Sequence, residues 1–305
     1  MVRGKGNRAG KAGVVVLSRG IGDDAGMSEA IETGVPPGPP ESASLQPLVK
    51  EVARQEIMSR YLRVASRRKS DGSLVTDADL AAQDAMRRHL SALWPEIPLL
   101  GEEMTHGTQQ RIFSEGLYWC LDPLDGTTNF SNGIPFFGLS LALVREGRVT
   151  LGVVYDPVRE ECFRADRGGG AWLNDRPLRL SGAPLALAEC VALVDLKRLS
   201  PSLVRRLAGG PPYRSQRSLG AVTLEWCWMA AGRCQLYLHG AQKPWDYAAG
   251  HLIFQEAGGV GCLFEALGRE CNAPASRLGP QAAIGAPSRG LLRQWQEWLG
   301  AEEAD

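Results

Sequence analysis

Two carboxylates, Asp122 and Asp125, stand three positions apart in the run Asp122-Pro-Leu-Asp125-Gly-Thr-Thr-Asn-Phe130. On one tight turn their charges face each other, and like charges held that close either raise a pKa or share a cation. All-oxygen ligands suit a hard ion such as magnesium. The amides of Gly126 and Thr127, just beyond, could hold a phosphate beside it. Aspartates in turns also cap neighbouring amides, so the motif alone leaves a capped loop equally open. Pro123 lacks a donor, and the sequence predicts that the apolar strand at 118–121 stops there. Two further acids sit at element ends. Glu102 follows a short apolar run and Asp246 follows Trp245 at a helix start, each with a plain alternative as turn residue or N-cap.

The elements that must position these residues are legible in outline. Apolar residues at spacings of three and four from Leu45 to Tyr61 predict a helix, and a second runs from Asp77 to Leu93. Thr76 with Asp79 three residues on reads as a capping box for that second helix. After the paired aspartates, alternating or apolar runs at 136–144, 149–155 and 161–165 predict a β-meander. The second half alternates strands at 190–194, 234–238, 260–264 and 282–284 with helices at 202–207, 218–231, 246–257 and 289–299. That order predicts a layered α/β domain after an α+β one. The expected division is a leader and linker over 1–43, an α+β subdomain over 44–182 and an α/β subdomain over 183–305.

At 305 residues the chain exceeds the usual single-domain size. Lys plus Arg and Asp plus Glu both total 34, which argues against nucleic acid as a partner on charge alone. Seven scattered cysteines without a C-x-x-C fit buried thiols in a reducing, cytoplasmic compartment. No apolar run approaches a membrane span. The first twenty residues carry Arg3, Lys5, Arg8, Lys11 and Arg19 with no acid, and 35–40 read as a Pro-rich linker. Such a leader reads as disordered, with a basic arm for nucleic acid as the alternative.

Taken together, Gly101-Glu102-Glu103, the run 119–130, Trp245-Asp246-Tyr-Ala-Ala-Gly250 with Glu256-Ala-Gly-Gly259, and Leu74-Val-Thr76-x-Ala78-Asp79 resemble the inositol monophosphatase family over about residues 45–300. The resemblance implies an α/β/α/β/α sandwich of the sugar-phosphatase type and a homodimer. It also implies a lithium-sensitive, magnesium-dependent phosphomonoesterase acting on a small phosphorylated metabolite. Glu102, Asp122, Asp125, Asp246 and the Leu124 carbonyl would hold two or three magnesium ions. Asp79 and Thr127 would position and activate the attacking water, and the Gly126 and Thr127 amides would hold the phosphate. Lys69 matches a lysine near the active site of relatives. Gly220, Ala221 and Val222 match the segment that lines the substrate pocket.

The chemistry is coherent by itself. The negative oxygens of a phosphate monoester repel nucleophiles, and cations balanced by four carboxylates relieve that repulsion. Substrate choice is less determined. Inositol-hydrolysing relatives place a glutamate seven residues before the Trp-Asp aspartate, where this chain has His239. Loss of that acceptor bears on hydroxyl recognition. An inositol-1-phosphate-like ester is the first expectation. A 3′(2′),5′-bisphosphate nucleotide, histidinol phosphate or fructose 1,6-bisphosphate are alternatives, and an RNA or transcription-complex partner is the non-enzymatic one.

Overall fold

The computed structural model describes residues 39–63, 67–68, 74–183, 185–265 and 277–300. Lys69 and residues 1–38 of the leader lie outside the described residues. Helix α1 (Ser42–Val52) runs into a wider turn at Ala53–Met58. The short strands β1 (Arg67–Arg68) and β2 (Leu74–Val75) pair with each other ahead of α2 (Asp77–Leu93). Then come β3 (Leu99–Gly101), α3 (His106–Ser114), β4 (Leu117–Asp125) and the five-residue α4 (Thr127–Ser131). The meander follows as β5 (Gly138–Arg145), β6 (Arg148–Asp156), β7 (Glu161–Asp166), β8 (Gly170–Leu173) and β9 (Arg176–Leu178). The second half contains β10 (Val191–Asp195), α5 (Pro201–Gly209), β11 (Ser215–Arg217), α6 (Val222–Ala230) and β12 (Leu236–Gln242). It ends with α7 (Pro244–Glu256), β13 (Val260–Phe264), β14 (Gln281–Ala286) and α8 (Arg289–Gly300).

A seven-stranded sheet has the order β3-β4-β5-β6-β7-β8-β9, and a five-stranded sheet the order β11-β10-β12-β14-β13. Three apolar clusters stack them into five layers. Leu45, Val49, Met86 and Leu90 of α1 and α2 cover one face of the first sheet against Trp119, Leu141 and Val153. Its other face meets α6 and α7, whose Trp226, Leu252 and Phe254 also reach Leu193, Tyr237 and Ala283 of the second sheet. Leu203, Leu207, Leu291 and Trp295 of α5 and α8 close the far side. The α/β/α/β/α sandwich is therefore the observed architecture. Strand β5, between two helical layers, is buried at every position but the last, which explains its unbroken apolar run. Gly152 lets α7 approach: a Cβ there would lie 2.9 Å from the Ala249 backbone.

The elements depart from the sequence-based expectation in four places. Strand β3 pairs in parallel with β4, so the first sheet is mixed rather than wholly antiparallel. Helix α3, with a weakly apolar sequence, and the three- and four-residue strands β8, β9 and β11 were not anticipated; they are too short for a period to show. Helix α6 starts at Val222, four residues later than the apolar run, because Gly220 is left-handed at φ 78°. Strand β4 does not stop at Pro123 either. It continues to Asp125 through a register shift, with Asp122 opposite Ser140 and Asp125 opposite Gly138. Three steps on one strand face two on the other, and the bulge absorbs the missing proline donor.

Candidate active site

The bulge at the end of β4 sets the two aspartates. Asp122 is buried, and its Oδ1 accepts from the Leu124 amide at 3.1 Å. Asp125 Oδ2 accepts from both the amide and the hydroxyl of Thr223, each at 2.7 Å, on the first turn of α6. Gly126 follows at φ 86°, where a Cβ would press within about 3 Å of the Phe136 carbonyl and of Ala221. That turn delivers Thr127 to the start of α4.

Thr127 has one hydroxyl proton and two acceptors, Asp79 Oδ1 and the Leu124 carbonyl, both at 3.0 Å. Asp79 is itself buried and held at its other oxygen by the Thr76 amide at 2.8 Å and the Thr76 hydroxyl at 2.5 Å. The capping-box reading and the site reading of Asp79 are thus compatible: one carboxylate oxygen closes the helix and the other holds Thr127. Burial raises the Asp79 pKa more than these hydrogen bonds lower it.

Glu102 follows β3, and its amide donates to the Leu121 carbonyl, which brings it beside the end of β4. Asp246 occupies the third position of α7, and its Oδ2 accepts from the Lys243 amide at 2.8 Å. The helix starts at Pro244, so Asp246 lies inside its first turn rather than at the N-cap. The negative charges act on one another across the two halves of the chain. Burial, then the charges of Glu102, Asp125, Asp246 and Asp79, push Asp122 well above the usual carboxylate range. Burial pushes Asp125 up to about 7, helped by Glu225 and Glu102 and opposed by Thr223. Burial, with Asp125 and Glu102, pushes Asp246 to about 7 as well. Asp125 and Asp246 keep some surface exposure yet are enclosed by protein on most sides, the situation of groups lining a concavity.

The donor set fits a hard cation. Among the described residues no donor reaches Asp122 Oδ2, Asp125 Oδ1 or Asp246 Oδ1, while the sister oxygen of each is anchored. Mutually repelling carboxylates with an oxygen to spare are what a magnesium ion would satisfy. Among the described residues no three acidic, His or Cys side chains already stand as a formed cage.

His239 is not presented as a ligand-binding group. Its Nε2 lies 3.1 Å from Asp195 Oδ2, and its Nδ1 accepts from the Ala241 amide at 3.2 Å. Nδ1 as acceptor places the proton on Nε2, and both nitrogens are in use. The pairing follows sheet register, since β10 and β12 run parallel with Asp195 opposite His239. His239 also lowers the Asp195 pKa against the effect of burial. Gly220 and Ala221 stand beside the Gly126 turn. The Asn129 amide, on α4, donates to the Leu219 carbonyl at 2.7 Å, and Ala221 packs on Gly126. Val222 opens α6 next to Thr223. Thr223 and Asp195 were not anticipated from the sequence, and nothing local marks them, because their partners are 98 and 44 positions away.

A five-layer α/β sandwich with clustered carboxylates at the junction of its two sheets defines a phosphatase class. The chain belongs to the inositol monophosphatase family, whose model matches residues 42–299. It is 35% identical to inositol monophosphatase 1 of Solanum lycopersicum over 216 residues, 69% of this chain and 78% of that protein. It is 37% identical to the Nus factor SuhB of Pasteurella multocida over 202 residues, 64% of this chain and 74% of the relative. Among solved structures it resembles the Thermotoga maritima IMPase, with a TM-score of 0.70 and 30% identity over 84% of this chain and 95% of that one.

Proposed function

We propose that the chain is a magnesium-dependent phosphomonoesterase that hydrolyses a small phosphorylated metabolite of the inositol 1-phosphate kind, as a homodimer. The observation that supports this reading is that Asp122, Asp125 and Asp246 each keep an oxygen that no donor among the described residues reaches, and that their charges and that of Glu102 act on one another near the Thr127–Asp79 pair. Glu102, Asp122, Asp125, Asp246 and the Leu124 carbonyl would hold two or three magnesium ions. When bound, such ions neutralise phosphoryl oxygens, acidify water and stabilise a departing alkoxide in an in-line displacement.

The chain's own residues supply orientation. Asp79 cannot rotate, because three hydrogen bonds hold its carboxylate. It therefore fixes the Thr127 hydroxyl, whose oxygen lone pairs are left to accept from a water and aim it at phosphorus. The Gly126 turn presents its amides to the phosphate. The water oxygen bonds to phosphorus, the ester P–O bond breaks, and a proton ends on the leaving alcohol. With His239 engaged by Asp195, recognition of the alcohol falls to Gly220, Ala221 and Val222.

A substrate panel tests the reading: inositol 1-phosphate, a 3′(2′),5′-bisphosphate nucleotide, histidinol phosphate and fructose 1,6-bisphosphate, each with magnesium. Inositol 1-phosphate is expected to be hydrolysed fastest, with inhibition by lithium and loss of activity in Asp122→Asn. Activity untouched by Asp122→Asn would sink the metal assignment, and a faster rival ester would replace the substrate. A second reading, binding to an RNA or transcription complex, is favoured by the similarity to a protein named Nus factor SuhB. RNA binding that disappears on deleting residues 1–43 would support it, and RNA binding that survives the deletion would remove it.

A further inference from the structure

Helix α6 carries one acid, and its other residues apart from Thr223 are apolar. Glu225 is 4% exposed in the segment between the two sheets and takes no part in the proposed chemistry, yet one of its oxygens is bonded twice. Its Oε1 accepts from the amides of Leu219 at 2.9 Å and Gly220 at 3.2 Å. The Tyr237 hydroxyl faces the same carboxylate and favours its charged form against the effect of burial. Gln242 Nε2 donates to that hydroxyl at 2.6 Å, and Gln242 Oε1 accepts from Trp226 Nε1 at 3.2 Å. Trp226, Gln242 and Tyr237 are thus linked side chain to side chain, with the Glu225 carboxylate next to the last of them. Burying a carboxylate is costly unless its bonds recover the loss, so its placement implies a structural demand nearby.

The demand is the segment 218–221. Gly220 is exposed and left-handed at φ 78°, so the segment lacks regular structure of its own. It is gripped from two sides. Asn129, two residues after Thr127, holds the Leu219 carbonyl from the phosphate turn, and Glu225 holds the two amides from the core. Gln242 lies at the end of β12, immediately before Lys243 and the α7 turn that carries Asp246. The Glu225 carboxylate, bonded to the segment beside Gly126 and faced by Tyr237, therefore sits between that segment and the Gln242 end of the strand that delivers Asp246.

We propose that Glu225 is a positioning residue for the substrate's alcohol portion: through Leu219 and Gly220 it fixes the wall formed by Gly220 and Ala221, and the Tyr237–Gln242 relay sets its orientation. This rests on the phosphomonoesterase reading given above. The phosphate is held by a different element, the Gly126 turn, so the two parts of a substrate depend on Glu225 unequally.

Glu225→Gln keeps the shape but breaks the relay. The new amide would donate towards a Tyr237 hydroxyl that already accepts from Gln242, leaving the tyrosine proton without an acceptor. The neutral oxygen also holds the Leu219 and Gly220 amides more weakly. With magnesium present, the expected result is a KM for inositol 1-phosphate raised about tenfold, a kcat changed less than about threefold, and an inhibition constant for inorganic phosphate nearly unchanged. Tyr237→Phe, which removes only a hydroxyl, should show the same split at smaller size. Amide hydrogen exchange supplies a readout independent of catalysis. In the wild type, Leu219 and Gly220 should exchange slowly despite the exposed segment, and Glu225→Gln should release them. Wild-type amides that exchange as freely as unbonded loop amides would overturn the proposal, whether or not the variants fold. So would KM and the phosphate constant moving together in either variant, or neither moving. A wild type with no phosphatase activity but slow Leu219 and Gly220 exchange would defeat the enzymatic reading while retaining the clamp.

Discussion

The Thr127 hydroxyl donates to Asp79 Oδ1 at 3.0 Å, joining the first turn of α2 to the turn after β4 across 48 positions of sequence. The two side chains form one unit, since Asp79 is immobilised by Thr76 and Thr127 takes its orientation from Asp79. Thr127→Val and Asp79→Asn should each lower kcat by about 10²- to 10⁴-fold, and the double variant should lose little more than the worse single one. Additive losses in that cycle would separate the two residues. Asp79→Asn should also cost about 1 kcal/mol of stability through the weakened helix cap, seen in a urea midpoint; Thr127→Val should not.

Magnesium should act on stability as well as on rate. The carboxylates around Asp122 repel one another in the metal-free protein. At a concentration about 100 times the dissociation constant, bound cation would add about 2.7 kcal/mol. For a chain of this size that is a rise in Tm of roughly 5–10 °C. Asp122→Asn should raise the metal-free Tm by removing a repelled charge, and abolish the magnesium-dependent rise. Differential scanning in chelator and in magnesium checks both signs at once.

His239 packs against Asp195, so a carboxylate cannot simply be restored at that position. His239→Glu would set two negative charges about 3 Å apart in a largely buried place. The expected outcome is a loss of about 1–3 kcal/mol at pH 8 that shrinks at pH 4–5, where one acid takes up a proton. His239→Glu with Asp195→Asn should recover most of that loss. A stable His239→Glu single variant with improved inositol 1-phosphate hydrolysis would show that the side chain turns away from Asp195.

His251 on α7 gives the chain an acid-sensitive core position. It is buried edge-on to Trp226 at 5.1 Å with Gly261 beside Nε2, and burial lowers its pKa to about 4, opposed by the Gly261 backbone and assisted by the charge of Arg167. In the unfolded chain it titrates near its ordinary 6.5. The folded state therefore binds fewer protons in that window. The contribution is fully present above about pH 6.5 and is lost as pH falls towards 4. Between pH 7 and pH 5 the wild type should lose about 2 kcal/mol relative to His251→Phe, measured by urea unfolding of both proteins at each pH. Parallel pH dependence in the two would remove the assignment.

Much of the chemistry was legible in the residues themselves. The pair Asp122 and Asp125 with Gly126, the Thr76–Asp79 cap and the alternation of strands with helices are local patterns. They depend on dihedral preference, spacing and periodicity within a few residues, whereas the five-layer architecture came from the family resemblance. What the tertiary structure decided is partner choice. That Pro123 rides through β4 on a bulge depends on β5 lying opposite it. That Asp125 is gripped by Thr223, and that His239 turns to Asp195, depends on which strands and helices become neighbours. Glu225 was not singled out from the sequence, and its use emerges only when Leu219, Gly220 and Tyr237 are brought around it. Sheet register and layer packing set those neighbours by long-range burial, and no short stretch of sequence encodes such an outcome.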